Sequence, residues 1–261
     1  MPTRGLSDEL LDLVFPPRCQ VCDTLGGELF CATCRADAEF IGGHACLYCG
    51  APLPPAAPAA PLCADCREGR WFSGARAAAL HAGALRRAII RYKYHGRTRL
   101  ATPLGELLAE VVRAEDERRG LPLAQCAALV PVPLHRDRRA WRGFDQAEML
   151  CFEMAQATGL PVWPDVIARV RNTTPQVSLQ GASRLENVRG AFEARRRWRL
   201  RGRAVIVVDD VLTTGATINE CAVVLRAAGA VAVYALTVTR AAPVWHPAAL
   251  LSDGDGAQEA I

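Results

Sequence analysis

Ala204–Val208 is continuously apolar and mostly β-branched, and it runs without a break into two aspartates and a loop of small, hydroxylated residues. Together these make the string Val205–Thr217, VIVVDDVLTTGAT. An apolar run of this type suits a central parallel strand covered on both faces. Such a strand ends at the carboxyl edge of its sheet, where ligands sit in open α/β folds. Asp209 and Asp210 are thereby delivered to that edge, and Thr213, Thr214, Gly215, Ala216 and Thr217 open the following helix. Backbone N–H groups at a helix N-terminus, with hydroxyls beside them, make a phosphate cradle that needs no basic side chain. Gly215 permits the tight turn, and the carboxylates can accept hydrogen bonds from sugar hydroxyls. An isolated Asp-Asp is more often an acidic strand end with an ordinary cap. The full string reads as a site.

The alternation extends on both sides. Ala75–Leu80 reads as a strand, followed by a helix near Gly83–Tyr92. Thr102–Arg118 is a longer helix with Leu104, Leu107, Leu108, Val111 and Val112 on one face. Ala127–Val132 is short and apolar, as a buried strand would be. Asp145–Thr158 opens with Asp145 and Glu148 in capping-box spacing and stops before Gly159. Ile218–Ala228 is a helix closed by Gly229, and Val231–Val238 is another strand. From 74 to 242 this order predicts an α/β domain with a parallel sheet flanked by helices. Residues 243–261, rich in Ala, Gly and Asp, are expected to form a mobile tail.

Residues 1 to about 70 are different in kind. Eight of the eleven cysteines form four Cys-x-x-Cys pairs: Cys19 with Cys22, Cys31 with Cys34, Cys46 with Cys49, and Cys63 with Cys66. Two intervening residues let both thiolates reach one ion, and two such turns complete a tetrahedral structural zinc site. Zn2+ is the expected ion. Sequential pairing closes short loops at lower entropy cost, although an interleaved arrangement or a single filled site fits the spacing as well. A site with four cysteines leaves no position for a substrate, so the module is structural or an interaction platform. Cys126, Cys151 and Cys221 lie on apolar faces and read as buried small hydrophobes.

No stretch approaches ~18 uninterrupted apolar residues, so membrane insertion is not expected. Asp8, Glu9 and Asp12 interrupt the leucines near the start, giving an amphipathic helix and not a signal peptide. The cytoplasm is the expected compartment, in keeping with metal rather than disulfide use of cysteine. The net charge of +4 is mild, so composition alone implies no nucleic-acid partner. Lys93 is the only lysine among 31 basic residues. Base composition accounts for that bias, yet it singles out Lys93.

The string Val205–Thr217 resembles the phosphoribosyl diphosphate motif of type I phosphoribosyltransferases. The resemblance implies that Asp209 and Asp210 contact the ribose hydroxyls as the catalytic pair, that Thr213–Thr217 hold the 5′-phosphate, and that Mg2+ accompanies the ligand. Thr213 stands where purine-salvage members carry an aspartate base, which argues against that substrate class. Two further segments are Pro131–Met149, PVPLHRDRRAWRGFDQAEM, and Arg169–Phe192, RVRNTTPQVSLQGASRLENVRGAF. With the cysteine module they resemble the ComF family of competence-associated proteins, over about residues 15 to 240. Asp145 departs from the expected asparagine, and either residue caps a helix well.

Arg136, Arg138, Arg139 and Arg142 are expected in a loop after a strand, with Arg136, Arg139 and Arg142 as candidates for the diphosphate. Trp141 and Phe144, interleaved with them, suit base stacking. The polar stretch from Asn172 to Arg189 matches a loop that closes over the reacting centre in the analogous enzymes. Gln176, Arg184, Asn187 and Arg189 are its expected ligand-facing residues. Lys93 lies in a stretch, Arg91–Arg97, that also resembles the family, and with Arg184 and Arg189 it is a further candidate for the diphosphate. The cluster Arg195, Arg196, Arg197, Arg199, Arg201 and Arg203 reads as a solvated hairpin that would suit a nucleic-acid backbone.

Two functions stay open. One is a phosphoribosyltransferase of unknown acceptor. The other, implied by the family, is a phosphoribosyl diphosphate-binding protein that handles single-stranded DNA during natural transformation, with a competence helicase as partner.

Overall fold

The computed structural model describes residues 16–55, 62–67, 69–118, 120–173 and 187–243. In chain order its helices and strands begin with α1 (Ala32–Ala36), α2 (Ala64–Arg67), β1 (Gly74–Leu80), α3 (Gly83–Tyr94), α4 (Ala101–Glu117) and β2 (Leu129–Pro131). Then follow α5 (Arg136–Arg142), α6 (Gln146–Thr158), β3 (Ile167–Arg169), β4 (Phe192–Ala194), β5 (Ala204–Leu212), α7 (Ala216–Ala227) and β6 (Ala232–Arg240).

The apolar strands make one parallel sheet in the order β1-β6-β5-β2. A parallel bridge from Leu129 to Val162 extends it by one more stub beside β2. β5 runs farther than its apolar stretch: Asp209 pairs with Thr237, Val211 with Thr239 and Leu212 with Arg240. The aspartates therefore lie on the strand and not after it.

Alternate residues of the central strands feed two cores, as the two-residue period of a strand requires. Ile206, Val208, Leu236 and Val238 pack with Leu85, Leu104, Leu108, Leu150 and Met154 from α3, α4 and α6. Val205, Val207, Val233 and Ala235 pack on the opposite face with Ile218, Cys221, Ala222 and Leu225 of α7. Cys126, Cys151 and Cys221 are all buried, the place expected of them.

The helix ends follow local chemistry. Asp145 Oδ1 accepts the Glu148 N–H at 3.2 Å to cap α6, and Gly159, with φ 74°, closes it. The arginine stretch after β2 is a helix and not the expected loop. His135 Nδ1 accepts the Asp137 N–H at 3.4 Å, Asp137 sits in the first turn, and Gly143, with φ 81°, ends α5. A second sheet, β3 with β4 antiparallel, also went unforeseen. The cluster after β4 is a short 3-10 turn, Arg197–Arg199, rather than a hairpin. Most of its arginines are exposed, but Arg199 lies over Trp163 and Trp198 at 5.8 and 5.2 Å, and pairs with Asp165 at 3.1 Å.

The cysteine-rich segment crosses the free edge of β1. Ile41 N–H donates to Ala78 O at 3.1 Å, Leu80 N–H to Glu39 O at 2.8 Å, and Ala75 N–H to Tyr48 O at 2.8 Å. The crossing places Cys19 and Cys34 in the core on the α3–α4 face, and Cys46, Cys49 and Cys66 in the core on the α7 face. On the first face Asp37 O passes so close to Gly83 that a Cβ there would lie 2.5 Å from it. The expected amphipathic helix before residue 16 and the tail after 243 lie outside the described residues. No described helix is long and apolar enough to cross a membrane.

Candidate functional site

β5 carries Asp209 and Asp210 to the carboxyl edge, and their side chains have different surroundings. Asp210 is buried, and its Oδ1 meets Lys93 Nζ from α3 at 2.8 Å. Burial works against the lysine's charge, but the attraction of Asp210, helped by Asp209, exceeds it and raises the Lys93 pKa. His81, hydrogen-bonded to Thr239 Oγ1 at 2.9 Å, completes this layer. Burial and the nearby Lys93 charge hold it neutral, with a pKa down at about 4.

Asp209 is only partly covered, and among the described residues no cation forms an ion pair with it. Its Oδ1 accepts the Asp210 N–H at 2.8 Å. Burial and the adjacent Asp210 carboxylate push its pKa up to about 7, with Lys93 opposing the rise. The pair is thus asymmetric: one carboxylate is fixed by an ammonium, and its neighbour is poised to gain or lose a proton near neutrality.

The strand ends in a turn around Gly215, whose φ of 77° lies where side-chain-bearing residues are strained. α7 opens at once, with Ala216 as its first residue and no acidic group in its first turn. Asp209, Thr213, Gly215, Ala216 and Thr217 line one concavity at this helix start. Main-chain N–H groups at such an end, with their share of the helix dipole, favour an anion.

One partly buried arginine, Arg169, feels the charge of Asp209 and shares a partner with a second, Arg138. Arg138 donates to Thr173 O and Arg169 to Thr173 Oγ1, so the two guanidinium groups converge on one buried threonine. Burial and the proximity of Arg138 lower the Arg169 pKa, while Asp209 partly offsets them. The other α5 arginines point elsewhere. Arg142 donates to Gln146 Oε1 at 2.6 Å and stacks over Tyr94 at 5.2 Å. Arg139 pairs with Glu148 at 2.9 Å, and Arg136 is 90% exposed. Arg189 is exposed, and its carbonyl accepts from Arg171. Gln176 and Arg184 lie outside the described residues. Arg169 was not singled out by sequence; its only signal was membership of the Arg-Val-Arg-Asn stretch.

The eight paired cysteines fall into two groups, Cys19, Cys22, Cys31 and Cys34, and Cys46, Cys49, Cys63 and Cys66. Within each group the sulfurs lie within 4.8 Å of one another. A tetrahedral ion with metal–sulfur bonds of about 2.3 Å needs sulfurs about 3.8 Å apart. Cys19–Cys34, Cys22–Cys31 and Cys49–Cys63 stand at 3.9, 3.7 and 3.6 Å. Main-chain N–H groups aim at the sulfurs, Val21 and Cys31 at Cys19 Sγ (3.5 Å each) and Cys63 at Cys46 Sγ (3.4 Å). Such donors are the outer partners that steady a thiolate–metal bond. The donor set fits structural zinc in both places.

Residues 10–67 match the double zinc ribbon domain. The chain is 34% identical to competence protein F of Haemophilus influenzae over 142 residues, 54% of this chain and 61% of that protein. It is 36% identical to DNA utilization protein YhgH of Salmonella typhi over 54% of this chain and 60% of that one. It is 25% identical to competence protein ComFC of Bacillus subtilis over 75% of this chain and 77% of that one. The chain thus spans about six tenths of the first two relatives. Among solved structures, a hypoxanthine phosphoribosyltransferase of Trypanosoma cruzi is similar at 13% identity, with a TM-score of 0.32, over 54% of this chain and 65% of that one. Over just over half its length this chain is a homologue of competence protein F and of DNA utilization protein YhgH, and it carries a double zinc ribbon at its N-terminal end.

Proposed function

We propose that the carboxyl edge of the sheet binds phosphoribosyl diphosphate or a related ribose phosphate. One observation carries this reading: the asymmetric pair Asp209–Asp210 and the Gly215 turn share an edge with the start of α7. Asp209 and Asp210 face the ribose hydroxyls, and the N–H groups of Thr213–Thr217 take the 5′-phosphate. Arg138 and Arg169, and not the more exposed Arg136 and Arg139, are the arginines placed for the diphosphate. Mg2+, when bound, would neutralise diphosphate charge, with the partly exposed carboxylate of Asp209 as a hard oxygen donor toward it. Calorimetry with phosphoribosyl diphosphate tests the site. The double variant Asp209→Asn with Asp210→Asn is expected to lose binding, and equal binding to both proteins would sink the assignment.

The relatives' names, competence protein F and DNA utilization protein YhgH, support a wider role in the use of DNA, and we propose that this chain handles incoming single-stranded DNA in the cytoplasm, beside a competence helicase. A surface consistent with that role lies at the amino edge of the sheet. Arg199 sits between Trp163 and Trp198, Arg203 lies over Trp163 at 5.5 Å, and Trp198 is 64% exposed. Base stacking and phosphate contacts use such groups. Single-strand affinity should fall steeply with salt, and a flat salt series counts against this surface. An active phosphoribosyltransferase is the second reading, favoured by the electrostatic interaction of Arg169 with Asp209. It predicts diphosphate release with some acceptor base. Silence across a broad panel leaves the binding protein.

A further inference from the structure

The second cysteine group touches the proposed phosphate turn from behind. The chain leaving Cys66 passes back over α7 and is tied to it along its length. Arg70 Nη1 donates to Thr214 O at 3.1 Å, Trp71 N–H to Asn219 Oδ1 at 2.8 Å, and Arg226 Nη2 to Ser73 Oγ at 2.8 Å. Tyr48, next but one to Cys46, donates its hydroxyl to Phe72 O. From the other side Arg240, buried at the end of β6 and in register with Leu212, donates Nη1 to Cys49 O at 2.7 Å. The same Nη1 lies 3.6 Å from Cys49 Sγ, and Arg240 Nε is buried with no hydrogen-bond partner among the described residues. Cys49, Cys66, Arg70, Arg240 and Thr213–Gly215 line one small cavity.

The peptide group gives this contact its direction. In a trans peptide the C=O of one residue and the N–H of the next point to opposite sides. Because Arg70 draws the Thr214 carbonyl toward itself, the Gly215 N–H faces away from Arg70, and Gly215 also lines the concavity beside Asp209. Arg240 adds a dependence on charge. Four thiolates around a divalent ion carry a net negative charge, which offsets a guanidinium that would otherwise be costly to bury. The first cysteine group has no comparable contact with the turn among the described residues. It docks on α3 and α4 through Arg91 to Asp23 (2.5 Å) and Arg35 to Glu110 (3.1 Å).

We propose that Arg70 is a positioning residue for the phosphate turn, and that through Arg70 and Arg240 the metal of the second cysteine group, but not of the first, sets the affinity of the ribose-phosphate site. The proposal rests on reading Thr213–Thr217 as a phosphate cradle. Coupling between two sites is reciprocal, so the ligand must tighten the second metal by the same factor that the metal tightens the ligand.

The test is competition for zinc. The zinc-loaded full chain is titrated with a chromophoric chelator, with and without phosphoribosyl diphosphate, and Cys22→Ser identifies the first group. In the wild type the ligand should raise the zinc affinity of the second group about tenfold and leave the first unchanged. Arg70→Gln should abolish that effect and weaken ligand binding by the same factor, and Arg70→Lys should restore part of both. If the wild type binds the ligand while neither zinc affinity moves, the coupling is overturned and the cradle stands. If the wild type binds no phosphoribosyl diphosphate, the cradle fails and takes the proposal with it. The wild-type titration decides even if Arg70→Gln does not fold.

Discussion

Lys93 Nζ lies 2.8 Å from Asp210 Oδ1, so the chain's single lysine pairs with one member of the acidic pair, and among the described residues Asp209 has no ion-pair partner. α3 ends one residue after Lys93, and Arg91 and Arg97 on either side anchor to Asp23 at 2.5 and 2.9 Å. The lysine is therefore held by the first cysteine group as well as by its own helix. Removing it leaves a buried carboxylate unpaired, a change that typically costs 3–5 kcal/mol. Lys93→Met should lower stability by about 3 kcal/mol in a urea titration. Adding Asp210→Asn should recover much of that loss. Simple additivity of the two changes would show that the pair is not coupled.

Asp209 links the site to pH. Its folded-state pKa, raised to about 7, lies above the value of about 4 for an unfolded aspartate. The stability it contributes is therefore fully present below about pH 4 and is lost as the pH rises to about 7. Asp209→Asn should melt higher than the wild type by a margin that grows between pH 5 and about 7, then levels off. A margin independent of pH across a fluorimetric melting series would contradict the raised pKa.

Gly215 should behave as a backbone position and not a packing one. A Cβ there meets only ordinary contacts, 3.6 Å to Leu212 Cδ1 and 3.8 Å to Arg70 Nη1, but φ is 77°. Gly215→Ala should cost about 1–2 kcal/mol, and Gly215→Asn less, because asparagine tolerates the left-handed region. Equal costs in thermal denaturation would point to a steric origin instead.

Tyr92 gives a test away from the site. It is fully buried, its ring tilts against Phe144 at 5.7 Å, and its hydroxyl donates to Gln146 O at 2.9 Å. Tyr92→Phe keeps the ring and leaves a buried carbonyl short of its donor, for about 1–3 kcal/mol. A smaller denaturant shift would mean that water replaces the hydroxyl.

The frame of this fold was legible because its signals are local. Ala204–Val208 is apolar and β-branched enough to be a central strand on its own, and α6 carries both its caps in sequence. α5 escaped notice because none of its residues is buried, so it lacks the apolar period by which helices are recognised. β3 and β4 have three residues each and exist only through pairing across the chain. The Asp209–Thr217 string could be read, but its electrostatic asymmetry could not. Lys93 and Asp210 are far apart in sequence, and nothing local marks which aspartate the lysine meets. Arg169, Arg70 and Arg240 were hidden for the same reason: in an arginine-rich chain, identity does not distinguish a buried guanidinium from a solvated one.

The passage of residues 39–48 along β1 has a consequence for the chain's behaviour in company. β1 is the last strand on its side of the sheet, and its outward main-chain groups would otherwise be free to recruit a strand from another molecule. Two four-cysteine groups fit for zinc, one on each face, flank that stretch. Stripping the zinc should therefore show first as self-association, a rise in light scattering while far-UV circular dichroism still reports the helices. The cysteine segment is, on this view, a guard against aggregation whose lock is a pair of ions.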